Sequence, residues 1–135
     1  MTTALTTAII CTAILAAMLF LLGFNVSRTR GVTAKAGGSQ FPSDPASRLL
    51  IAIRAHGNAA EYIPVLIVLF LLVGARSPAV VAIPLIMGAT AARITNAYGL
   101  LTAPSLAVQT KARLAGAAGT YLLGVGLAVA AAFSL

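Results

Sequence analysis

Acidic residues are almost missing from this chain: Asp44 and Glu61 are the only two in 135 positions, against nine lysines and arginines. The formal charge is +7, yet charged residues of both signs make up only 8% of the sequence, where a soluble domain carries roughly a quarter. There is no tryptophan, one histidine (His56) and one cysteine (Cys11). A lone cysteine excludes an internal disulfide and a thiolate metal cluster. One histidine and two carboxylates leave too few donors for a metal site. Aromatics are scarce as well, at 6%, so the stacking stripe that a basic nucleic-acid binder needs is absent despite a pI near 10.9. Cys11 stands inside an apolar run and is expected to be inert.

What the chain does have is hydrocarbon. Hydrophobic residues make up 60% of it and the mean hydropathy is +1.02. A single water-soluble domain of this length could not hide that much apolar surface, so lipid is the solvent that fits. The expectation is an all-α integral membrane protein, one four-helix domain spanning residues 1–135. No charge occurs from Met1 to Val26. That stretch predicts a first helix over 4–25, retained in the membrane, because no basic residue precedes the apolar run as a signal peptide requires. A polar loop over 26–44 follows, rich in glycine and proline and carrying Arg28, Arg30 and Lys35.

Ser43-Asp44-Pro45 resembles a helix start, with Asp44 able to cap free amides and Pro45 suited to the first helical position. It predicts a second helix over 45–75. Ser77-Pro78 opens a third, over 78–101, and a fourth covers 105–134. Within the fourth, Gly116, Thr120 and Gly124 recur every four residues, a small-residue row that lets helices approach closely. Basic residues gather after helix one and before helix four, with only Arg76 on the other side. By the positive-inside rule both termini face away from the cytoplasm.

The second helix carries the chemistry. Arg54, Asn58 and Glu61 are spaced i, i+4 and i+7, which at about 100° per residue places them at roughly 0°, 40° and −20°, on one narrow face. The segment after Tyr62 is apolar, so Glu61 lies below the headgroups, where a lone carboxylate costs several kcal/mol unless paired or protonated. Helix three offers Arg93, with Asn96 one turn on, and the expectation is that Arg93 pairs with Glu61. On the plainest reading such a pair only locks the two helices together. Yet Arg54, Arg113 and further arginines would then remain in excess, and a bound anion is their natural counter-charge. His56 points away from the Arg54 face and is read as an interface or inter-helix residue. Tyr62, Tyr98 and Tyr121 are read as interface anchors, with Tyr98 and Tyr121 alternatively aimed into the pocket.

The run Arg54-Ala-His-Gly-Asn-Ala-Ala-Glu61-Tyr-Ile-Pro64 resembles the membrane-associated proteins in eicosanoid and glutathione metabolism, the MAPEG family, and looks most like its small bacterial members. The arginines after helix one, the segment from Arg93 to Tyr98-Gly-Leu and Arg113 near the start of helix four add to the likeness. The resemblance implies a trimer of four-helix subunits in a bacterial inner membrane, with glutathione as co-substrate and a hydrophobic small molecule as its partner. It implies glutathione-binding roles for Arg54, Asn58, Glu61, Arg93 and Asn96, and for Arg28 or Arg30. Arg113 becomes the group that stabilises the thiolate. The implied activity is a glutathione-dependent membrane transferase or peroxidase acting on lipophilic electrophiles. The chain departs from the better-studied enzymes at Gly57, where they carry a second arginine, at Asn96, often a histidine, and at Ala117, often a tyrosine. Two other functions fit the sequence: a non-catalytic protein of the same fold that binds a lipid or other anion, and a small proton-coupled exporter using Glu61.

Overall fold

The computed structural model describes residues 2–134 and contains four helices: α1 (Thr3–Lys35), α2 (Arg48–Arg76), α3 (Ala79–Leu101) and α4 (Lys111–Ala132). Each of the four is long and apolar enough to cross a membrane. α1 packs mainly on α2, α4 mainly on α3, and the two pairs are joined where α2 and α1 touch α3 and, more sparsely, where α2 touches α4. The centre is a column of fully buried side chains that includes Leu15, Ile63, Phe70, Val73, Ile86 and Leu127. Large apolar residues such as Phe20, Val80, Leu122 and Phe133 point outward, as lipid-facing positions require.

The first helix is longer than its apolar run. Arg28, Arg30 and Lys35 lie on α1, and the expected loop over 26–44 shrinks to 36–47. Loss of hydropathy after Val26 marks the exit from hydrocarbon, not the end of the helix. Nothing in Ser27–Lys35 forbids helical backbone, since proline is absent and Gly31 costs only about 1 kcal/mol. The helix stops at Gly37, whose φ of 70° is the left-handed conformation glycine adopts without strain. The Gly38 amide then returns to the Thr33 carbonyl at 2.9 Å and closes the end.

α2 begins three residues later than expected. Ser47, not Asp44, is its cap, accepting from the Leu50 amide at 3.4 Å. Asp44 instead closes the preceding turn: its Oδ1 accepts from the Ala46 amide and its carbonyl from the Ser47 amide, both at 2.9 Å. The Pro45 carbonyl accepts from the Leu106 amide at 2.9 Å, which ties the α1–α2 connection to the α3–α4 connection. α4 likewise starts late, at Lys111, where Thr110 accepts from the Arg113 amide at 3.2 Å and donates from Oγ1 to the Gly99 carbonyl, also at 3.2 Å. Both connections, and with them Arg28, Arg48 and Arg113, therefore gather at one end of the bundle.

Candidate functional site

Helix α3 and helix α4 meet almost backbone to backbone. A Cβ added at Gly99 would overlap the Arg113 backbone, and one added at Gly116 would overlap the backbone of Asn96. This contact fixes two polar side chains. Asn96 is buried and its Nδ2 donates to the Arg113 carbonyl at 3.1 Å; the Arg113 Nη1 donates to the Leu106 carbonyl at 3.0 Å. The guanidinium of Arg113 is thus anchored by a neutral acceptor and keeps its charge uncompensated within that contact.

Facing it, α2 contributes Arg54 and Asn58. Together with Asn96, Leu100, Gln109, Arg113, Ala117 and Tyr121 they line a cleft of about 280 Å³ between α2, α3 and α4. Four of the residues singled out from sequence, Arg54, Asn58, Asn96 and Arg113, are therefore together. Glu61 is not in this cleft. It stands exposed one turn deeper, at the rim of an adjoining groove of about 430 Å³ between α2 and α4. The groove is otherwise almost wholly apolar, with Val65, Leu66, Leu69 and Val125 among its walls. Tyr121 lines both spaces.

Among the described residues the expected pair of Glu61 with Arg93 does not form. Arg93 is 1% exposed, and its Nη2 donates to Asn58 Oδ1 at 2.8 Å and to the Asn58 carbonyl at 3.3 Å. Nη1 reaches Thr120 Oγ1 at 3.5 Å, and the Tyr62 ring covers the guanidinium with its centroid 5.2 Å from Cζ. A buried cation is served here by neutral acceptors and an aromatic face, which avoids the cost of desolvating a carboxylate as well. The consequence for the cleft is mechanical: Arg93 lies behind Asn58 and holds its amide in place.

Arg28 and Arg30 are not brought to this cleft. Arg28 lines a separate one with Arg48, between the polar ends of α1 and α2. Arg30 is exposed on α1 and lines none of these spaces. His56 packs toward α1, where a Cβ at Gly23 would lie 3.3 Å from its Nε2, so it does turn away from the Arg54 face. Among the described residues no three potential metal ligands come together.

Sequence reading undervalued the tyrosines. Tyr62 Oη donates to Tyr121 Oη at 3.4 Å, with ring centroids 5.8 Å apart, at the seam of cleft and groove. The signal was present: Tyr62 follows Arg54 by eight residues and Tyr121 follows Arg113 by eight, so each lies about 80° round its helix from its arginine. Gln109 had no such signal, because it sits in an irregular connection with no period to read.

Searches of curated proteins and of solved structures returned no match to the chain. The profile of the MAPEG family matches residues 8–133, almost the full length.

Proposed function

The chain belongs to the MAPEG family, a family of membrane four-helix bundles that includes glutathione transferases and peroxidases among other members, and from that premise we propose that it is a glutathione-dependent transferase or peroxidase acting on lipophilic electrophiles. The observation that carries the reading is the juxtaposition of two spaces. A polar cleft with Arg54, Asn58, Asn96 and Arg113 opens beside an apolar groove, and Tyr121 belongs to both. Glutathione is a peptide with two carboxylates, an ammonium and a thiol. Guanidinium groups suit the carboxylates, the Asn58 amide suits the peptide, and Glu61 at the rim suits the ammonium. Arg93 acts through Asn58, as a positioning residue.

Arg113 is assigned to the sulfur. A free thiol has a pKa near 8.5 and reacts as the thiolate, so a fixed cation beside it raises the reactive fraction at neutral pH. The thiol gives up its proton to water at the mouth of the cleft; the thiolate then attacks the electrophilic carbon, the S–C bond forms and the leaving group departs with its electron pair. The electrophile reaches the sulfur from the groove, and so from the lipid. In this reading the polar end of the bundle faces the cytoplasm of a bacterial inner membrane, both termini face away from it, and the assembly is a homotrimer.

The test is glutathione titration of the purified protein, following thiolate absorbance and conjugation of a chlorinated nitrobenzene. Saturable binding is expected, with the thiolate signal lost in Arg113→Ala by about tenfold for each unit of thiol pKa it restores. No saturable binding at millimolar glutathione would favour a second reading, a non-catalytic anion-binding member. Gly57, Asn96 and Ala117 are on its side, since the better-studied enzymes it resembles carry an arginine at the first position, often a histidine at the second and often a tyrosine at the third.

A further inference from the structure

Asp44 is one of only two acids in the chain, and the site just described makes no use of it. It is exposed on the α1–α2 connection, where its Oδ1 accepts from the Ala46 amide at 2.9 Å. A carboxylate oxygen bonded two residues on closes an Asx-turn. The amide it grips belongs to the same peptide unit as the Pro45 carbonyl. In a planar trans peptide the N–H and C=O point in opposite directions, so holding one aims the other. The Pro45 carbonyl is aimed at the Leu106 amide, 2.9 Å away. Among the described residues this is the one backbone hydrogen bond between the two connections.

Leu106 stands in the irregular stretch 102–110, outside any helical ladder, so its place depends on what grips it. Its amide is held by Pro45 and its side chain packs against the apolar core. Its carbonyl accepts from Arg113 Nη1 at 3.0 Å. The close contact with Gly99 fixes the backbone of Arg113, but not the end of a long flexible side chain. That end is set by Leu106.

We infer that Asp44 is a positioning residue for Arg113, acting through the Pro45 carbonyl and the backbone of Leu106. The inference deepens the proposed function and rests on the assignment of Arg113 to the sulfur. Charge alone predicts the opposite sign: removing an anion favours a nearby thiolate. A thiolate lost with Asp44 is therefore the mark of the turn and not of its charge.

Asp44→Ala deletes the acceptor, whereas Asp44→Asn keeps an Oδ1 that closes the same turn without charge. The residue is exposed, so both variants should fold. In Asp44→Ala, hydrogen–deuterium exchange at the Leu106 amide should quicken about fivefold, the factor one ordinary hydrogen bond supplies. The thiolate fraction of bound glutathione at neutral pH should fall about threefold, since a link passes on only part of the bond removed. Asp44→Asn should stay within about twofold of wild type on both measures. Unchanged exchange at Leu106 in Asp44→Ala would overturn the link, and so would faster exchange with the thiolate intact. An asparagine variant that behaves like the alanine one would overturn it in favour of charge. Absence of thiolate in the wild type would be a failure of the proposed function instead. The link is then decided without glutathione: because coupling is reciprocal, Arg113→Ala should quicken exchange at Leu106 and Ala46, and no change there would end it.

Discussion

Helix α4 has two inward faces, and they are built on opposite principles. Toward α3 it presents Gly116 and meets Gly99, so the two backbones touch and the side chains between them have no freedom to shift. Toward α2 it presents Tyr121, Gly124 and Val125, and the helices stand apart around a groove. The closed face fixes where Arg113 and Asn96 are; the open face leaves an apolar groove beside them. In lipid, where apolar side chains gain little by leaving one hydrocarbon environment for another, helix spacing is set largely by residue size at the contact. One helix can therefore hold a rigid polar wall and an open apolar groove side by side.

The largest effect is expected from breaking the closed face. Gly116→Leu would drive a side chain into the backbone of Asn96, which cannot yield as a side chain would. Overpacking of this kind costs upward of about 3 kcal/mol, and thermal unfolding in detergent should show a protein that no longer forms a stable bundle. Gly124→Ala is the control. Nothing lies within 4 Å of a Cβ at that position, and its stability should hold or rise by up to about 1 kcal/mol, alanine being the better helix former. An outcome in which both variants behave alike would end the distinction between the two faces.

That control also marks where sequence was a partial guide. The row Gly116, Thr120 and Gly124 predicted one close contact along α4. Gly116 and Thr120 are buried, whereas Gly124 lines the groove, because the helices diverge and a period of four does not record divergence. Helix number was legible because four apolar runs long enough to span lipid cannot be anything else. The end of α1 was not, since hydropathy reports the solvent around a helix and the backbone continued nine residues into headgroups. The i, i+4, i+7 spacing of Arg54, Asn58 and Glu61 predicted one shared polar pocket, whereas Arg54 and Asn58 line the cleft and Glu61 stands at the rim of the adjoining groove. It could not say that the guanidinium of Arg93 reaches Asn58 before Glu61, a matter of about one helical turn in depth.

The next effect comes from the support behind the cleft. Asn58→Ala removes the acceptor 2.8 Å from Arg93 and leaves a buried cation short of a partner. A hydrogen bond to a charged group contributes about 1.5–3 kcal/mol, so the variant should unfold earlier and lose glutathione binding together. The open face gives a different signature. Gly124→Leu places a side chain in the groove without touching the cleft, so KM for an apolar electrophile should rise by about tenfold or more. Glutathione binding, read by the same titration, should hold. Loss of both would mean that groove and cleft are one site.

The smallest expected effect is also the most discriminating. Tyr121→Phe keeps the ring pair with Tyr62 and deletes only a 3.4 Å hydroxyl contact, so stability should change by less than about 1 kcal/mol. That hydroxyl nevertheless stands where the polar cleft opens into the groove, the position a sulfur and an incoming electrophile must share in the proposed reaction. In the transition state that hydroxyl can donate to the charge developing on the electrophile, and about 1 kcal/mol gained only there sets a fall in kcat of about fivefold, with glutathione affinity unaltered. A hydroxyl that only bridges two tyrosines would leave kcat where it was. Because the fold is nearly indifferent to this atom, any kinetic change reads the seam between the two spaces directly, and its absence would return Tyr121 to the role of a lipid-facing anchor.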